Sequence, residues 1–260
     1  MKLQKKITGL LAAVLLLSAN ITAVPVTAQA DQYPSATLTL EPKRTADGID
    51  YDVYIEHANY LSTLMFEVDF TSNETGAVSV TENDCFDIAH SKWDRESPAS
   101  LKAYLGRTGQ KVGFSSDDKI KIAQISIPIA VSQTGEVTAA VSGASCAGVT
   151  QLAGNAVKGT VSVSDNTVKY RINECSILSF DKNKVNILSA NDRKADVIYA
   201  SYDDKGSLIK FHKESVELKQ GENEISANAA SFDKAKTVSL MIWDCIDSMT
   251  SLADKATINN

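Results

Sequence analysis

An all-β chain of two tandem sandwich modules is what this sequence predicts, on three observations. Apolar and polar side chains alternate over short runs. Clusters rich in Gly, Asp, Asn and Ser punctuate those runs. A polar stretch at 162–166 then separates one set of runs from a second. Period-two alternation between turn signals is the mark of strands with one buried face, and many such strands in series mark a sandwich or barrel.

The chain opens with a basic lead (Lys2, Lys5, Lys6), an apolar run over 10–17 and the small-residue close Ala28-Gln29-Ala30. That order predicts a secretory signal peptide over 1–30, cleaved after Ala30. A membrane anchor is disfavoured because Ser18, Asn20, Thr22 and Pro25 interrupt the run before it is long enough to span a bilayer. The expected destination is secreted, extracellular or associated with a cell surface. Net charge is −6 for the whole chain, and cleavage would remove three lysines and no acid. Such an acidic balance argues against nucleic acid, which calls for a clustered basic face. It argues equally against an anionic membrane surface, and no second apolar span predicts membrane insertion.

The first module is expected over 31–165, with strands at 36–40, 51–56, 64–70, 77–81, 111–114, 120–129, 136–141 and 160–163. Within 51–56, Tyr51, Val53 and Ile55 point one way while Asp52, Tyr54 and Glu56 point the other. In 64–70 the core face is Leu64, Phe66, Val68 and Phe70, which leaves Met65, Glu67 and Asp69 outside. A short helical segment is expected at 98–105, where a serine precedes a proline. The second module is expected over 166–260, with strands at 168–172, 184–188, 196–202, 207–214, 215–218, 223–227 and 237–244. Asp203-Asp204-Lys205-Gly206 and Gln220-Gly221 read as hairpin turns, glycine supplying the left-handed conformation.

Cys85 and Cys146 fall in the first half, Cys175 and Cys245 in the second. An oxidising exterior permits one disulfide in each half; the alternative is four small buried hydrophobes. No CxxC pair and no suitably spaced histidine supports zinc.

Two resemblances carry further. Residues 195–206, 218–223 and 238–244 give the order strand, Asp-rich hairpin, strand, Gly turn and a final Trp-Asp strand. This resembles a small Ig-like domain appended to secreted clostridial polysaccharide-degrading proteins, which implies a carbohydrate-active context and no chemistry of its own. Residues 64–70, 76–81, 111–116 and 122–129, in that order and spacing, resemble a cohesin, the jelly-roll-like receptor for dockerin modules in cellulosomes, or its carbohydrate-binding structural relatives. The sequence departs from cohesins at Phe70-Thr71-Ser72, where they carry Tyr-Asp-Pro. It departs again in the insert 82–110, which holds Trp93 and Tyr104.

Catalytic signals are weak. A glycosidase needs two carboxylates facing each other across a cleft. Asp117-Asp118 reads as a solvated turn, and Asp94 with Glu96 beside Trp93 is the one set worth testing. There is no G-x-S-x-G elbow and no phosphate-cradling glycine loop. Acid-rich turns at Asp203-Asp204 and Asn191-Asp192 leave Ca2+ as an open cofactor, although neither has the ligand series of an EF-hand.

Binding is what remains. Met65, Glu67 and Asp69 form one candidate partner face. Tyr54, Tyr60, Trp93 and Tyr104, with Asp94, form a candidate platform on which sugar rings stack. The resulting expectation is a non-catalytic secreted binding or scaffold protein. It would recognise polysaccharide, or a dockerin-like module within an extracellular polysaccharide-degrading complex. A surface adhesin or pilus-like subunit is the alternative, and a glycoside hydrolase the third reading.

Overall fold

A computed structural model of the chain describes residues 33–71, 76–80, 85–94, 99–108, 113–150 and 155–260. The expected signal peptide and Glu96 lie outside these residues. Among the described residues no helix is long and apolar enough to cross a membrane.

The first core is built from β1 (Ser35–Arg44), β2 (Gly48–Leu61), β3 (Thr63–Phe70), β4 (Ala77–Val80), β5 (Ile88–Asp94) and β6 (Ser100–Gly106). To these are added β7 (Phe114–Ser116), β8 (Ile120–Pro128), β9 (Gly135–Val149), β10 (Ala156–Lys158), β11 (Thr160–Val163) and β12 (Thr167–Ile172). They form two sheets. One runs β11-β1-β2-β8-β4 with β7 on β2; the other runs β10-β9-β3-β6-β5 with β12 on β9. Burial follows the alternation in the sequence. Tyr51, Val53 and Ile55 of β2 and Leu64, Phe66, Val68 and Phe70 of β3 point into one apolar cluster between the sheets. The pairing of β1 with β11 is parallel, Ser35 to Leu38 lying beside Thr160 to Val163.

The second core contains β13 (Cys175–Phe180), β14 (Lys184–Ser189), β15 (Arg193–Tyr202), β16 (Leu208–Leu218), β17 (Gly221–Ser226), β18 (Thr237–Trp243) and β19 (Ala256–Asn259). Sheets β13-β14-β17 and β16-β15-β18-β19 enclose Val185, Ile187, Val197, Tyr199, Leu240 and Ile242. The hairpin glycines take the left-handed conformation, Gly206 at φ 77 and Gly221 at φ 101. The chain is thus all-β, with two separate cores each lying between two sheets.

Three expectations change. Residues 100–106 form β6 and not a helix, because Leu101, Ala103 and Leu105 alternate and pair along β3. The strand at 167–172, expected in the second module, pairs with β9 and puts Ile172 in the first core. The strands expected at 207–214 and 215–218 are one strand, β16, over Leu208–Leu218. Of the two alternatives for the cysteines, no disulfide joins any of the four, and Cys85, Cys146 and Cys175 are buried. Cys146 Sγ lies 3.5 Å from the Thr160 carbonyl, Cys175 Sγ is 3.7 Å from Ser189 Oγ, and Cys245 Sγ accepts from the Ser248 amide at 3.3 Å. Each of these three sulfurs meets an oxygen or nitrogen in place of a second sulfur. Burial pushes the Cys146 thiol up to about 11, so it is no nucleophile at neutral pH.

Candidate binding face

The outer face of the β9-β3-β6-β5 sheet gathers several side chains of interest. Met65, Glu67 and Asp69 project from β3 away from the core, as their alternation with Phe66 and Val68 requires. Register places Met65 opposite Tyr104 of β6 and Ser145 of β9, and Glu67 opposite Lys102 and Gly143. On the far side, β5 sets His90 beside Tyr104 and Lys92 beside Lys102. The His90 and Tyr104 rings lie 6.4 Å apart.

Because β9 contributes the small residues Gly143, Ser145 and Ala147 here, the sheet surface is shallow on that side. The larger Tyr104 and Ile88 stand opposite, at 41% and 49% exposure. Between them runs a groove of about 520 Å3, with Met65, Ile88, His90, Tyr104, Ala147 and Lys158 among its walls. One edge carries the Lys102–Glu67 ion pair at 3.0 Å, and the Glu67 carboxylate holds the Lys102 ammonium above its ordinary range. An aromatic ring, a methionine and an isoleucine thus surround an open groove flanked by charge.

The other candidates lie elsewhere. Trp93 pairs with Leu101, turns inward and packs on the Phe70 ring at 5.8 Å. It therefore points to the opposite face from Tyr104, with part of its apolar surface buried against the core. Asp94 is exposed at the end of edge strand β5. Tyr54 lies on the outer face of the other sheet, with the Lys119 ammonium 4.8 Å over its ring. Tyr60 has φ 49; its amide donates to Ser115 Oγ at 2.9 Å. The four aromatics are thus dispersed, and the expected stacking platform does not form.

The acid-rich turns are occupied by their own backbone. Asp203 Oδ1 accepts from the amides of Lys205 and Ser207 at 2.9 and 2.8 Å, and Asp192 Oδ1 accepts from that of Gln220 at 2.8 Å. Among the described residues no group of three or more His, Cys, Asp or Glu side chains is disposed to hold a metal. Sequence reasoning missed Ile88 and His90, although 88–94 does alternate: Ile88, His90 and Lys92 against Ala89, Ser91 and Trp93. His90 and Lys92 on one face, and only Trp93 as a large apolar residue on the other, masked that signal.

No protein-family model and no curated protein matches the sequence. Among solved structures, the chain is similar to a non-cellulosomal cohesin from the hyperthermophilic archaeon Archaeoglobus fulgidus. Identity is 13%, with 53% of this chain and 91% of that one covered at a TM-score of 0.38. It is also similar to the sixth cohesin of scaffoldin B from Acetivibrio cellulolyticus, solved in complex with a Cel5 dockerin, at 14% identity. There the match covers 50% of this chain and 99% of that one at a TM-score of 0.32. A type II cohesin dyad from the ScaA scaffoldin of the same organism matches 87% of this chain and 99% of its own. Its identity is 7% and its TM-score 0.32.

Proposed function

We propose that this chain is a non-catalytic extracellular binding module that holds a protein partner of the dockerin kind on the outer face of β9-β3-β6-β5. The observation that carries this reading is the groove between Met65, Ile88 and Tyr104 on the outer face of that sheet. Exposed aromatic and methionine side chains in a groove release water on contact and anchor a partner at small entropic cost. The cohesin resemblance in residues 64–70 and 122–129 supports the same class of partner, and the signal-peptide pattern supports an extracellular setting.

A polysaccharide ligand has less support. Around Tyr54 on the opposite sheet, the polar groups already bond to one another. Gln124 Nε2 donates to Asp50 Oδ2 at 2.5 Å, and Lys121 pairs with Asp52 at 2.6 Å. The test is calorimetry and pull-down of the full chain against a panel of dockerin modules, run beside a glycan array. Tyr104→Ala and Met65→Ala are expected to weaken a dockerin about tenfold or more each, the scale of an interface anchor. Tyr54→Ala should leave that affinity unchanged. Glycan binding lost on Tyr54→Ala, with no dockerin captured, would overturn the assignment. Polysaccharide hydrolysis abolished by Asp94→Asn would overturn its non-catalytic part.

A further inference from the structure

We propose that the cleft where the two cores meet is a binding site for a small oxyanion, centred on Arg44 and flanked by Lys43 and Lys255. The site stands apart from the partner face and does not depend on it. Its construction begins in β1, whose inward positions Ala36, Leu38 and Leu40 are buried in the first core. Arg44 continues that inward series and closes it at the pole of the sandwich nearest the second core. It is only 5% exposed.

The guanidinium donates to two neutral carbonyls, that of Gly48 at 2.8 Å and that of Ala130 at 3.5 Å. Among the described residues no carboxylate lies within ion-pair distance of it. Burial pushes its pKa below the usual arginine value, with Tyr170 acting in the opposite direction, the sign of a cation short of solvent. Arginine cannot respond by giving up its proton, so an unpaired buried guanidinium is a standing cost that a bound anion would relieve.

The surroundings fit that occupant. A cleft of about 210 Å3 opens over Arg44, walled by Lys43, Tyr170, Ser176, Asp254 and Lys255. In a chain of net charge −6, three cations against one carboxylate is a local reversal of sign. The Tyr170 and Ser176 hydroxyls add neutral donors. Lys43 and Lys255 stand exposed at the mouth, where they would attract an anion before Arg44 meets it. The volume lies below the ~300–1,000 Å3 typical of drug-sized ligands. The occupant is therefore a single small group, a sugar carboxylate or an inorganic phosphate, and not an oligosaccharide chain.

The test is titration calorimetry of the full chain at constant ionic strength with sodium glucuronate, inorganic phosphate and neutral glucose. Expected is saturable one-to-one binding of at least one anion and none of glucose. Binding of glucuronate alone identifies a carboxylate site, and binding of phosphate alone a tetrahedral one. The double variant Lys43→Gln/Lys255→Gln, changed only at exposed positions, should weaken binding about tenfold or more. Lys194→Gln, at a lysine 82% exposed elsewhere, should not. Arg44→Gln should abolish binding if it folds. Absence of saturable binding by either anion, equal binding of glucose, or wild-type affinity in the double variant would overturn the site.

Discussion

Asp196 shows how one buried carboxylate is held on the outer face of the β16-β15-β18-β19 sheet, between the core positions Ala195 and Val197. It is 5% exposed on β15 and accepts from Ser215 Oγ at 2.5 Å, the Ile246 amide at 2.9 Å and Lys213 Nζ at 3.3 Å. The Ser215 hydrogen bond, then the Ile246 amide and Lys213, outweigh desolvation and keep its pKa below the ordinary carboxylate range. A folded-state pKa lowered in this way contributes stability that is present above the unfolded value of about 3.9. That stability is lost as pH falls through the folded value. Asp196→Asn should accordingly melt lower than the parent at pH 7, and the gap should narrow as pH drops below about 4 in a thermal series. Cysteine chemistry is equally local. Cys85, Cys146 and Cys175 are buried and Cys245 is half-buried. A thiol reagent should therefore titrate Cys245 alone in the native protein and all four thiols in denaturant; a Cys245→Ser variant should be silent until unfolded.

Strand packing sets the next scale, and Tyr60 near the end of β2 shows its constraints. A Cβ on Gly148 would stand 1.5 Å from the Tyr60 carbonyl oxygen, and one on Gly113 only 2.0 Å from it. Strand β9 and the residue preceding β7 therefore close on a single carbonyl, at a residue with left-handed backbone. Gly148→Ala should destabilise by about 1–3 kcal/mol in denaturant melts, the usual cost of overpacking. Gly106→Ala, whose new Cβ meets nothing closer than 3.9 Å, should be tolerated far better. Elements with one clean apolar face were legible in the sequence. Met65, Glu67 and Asp69 project outward from β3 because Phe66 and Val68 leave no other arrangement. Edge strand β5 was not legible: a strand paired on one side only, with Trp93 as its main core contact, has little apolar pattern to read. The same blindness assigned Trp93 to the surface, since its polar sequence neighbours Lys92 and Asp94 are on the other face or at the strand end.

For the molecule as a whole, the division between cores falls later than the polar stretch at 162–166 implies. β12 pairs with β9 along six residues, from Thr167–Ala140 to Ile172–Gly135, and Val168 and Tyr170 pack against the first core. A fragment ending at 165 should therefore unfold at clearly lower denaturant than one ending at 174, because β9 loses a neighbour and the core loses Ile172. Loop composition could not reveal this, since a strand's partner is chosen by long-range pairing and not by its nearest turn. Only Asn173 and Glu174 separate β12 from β13. Glu174 is itself tied down: its side chain pairs with Arg193 and its carbonyl accepts from the Ala190 amide at 2.9 Å.

The course of β1 has a mechanical consequence. Ser35 lies at the pole that also holds His57 and Asp117, while Arg44 lies at the pole shared with Tyr170 and Lys255. The chain thus enters the first core at one end and leaves it, through β12, at the other. Tension applied across that core would run along the strands and load the β1–β2 and β1–β11 ladders in shear. Hydrogen bonds loaded together resist rupture far better than bonds unzipped one at a time. A protein that grips a partner on one sheet face while being pulled end to end would keep that face intact under strain.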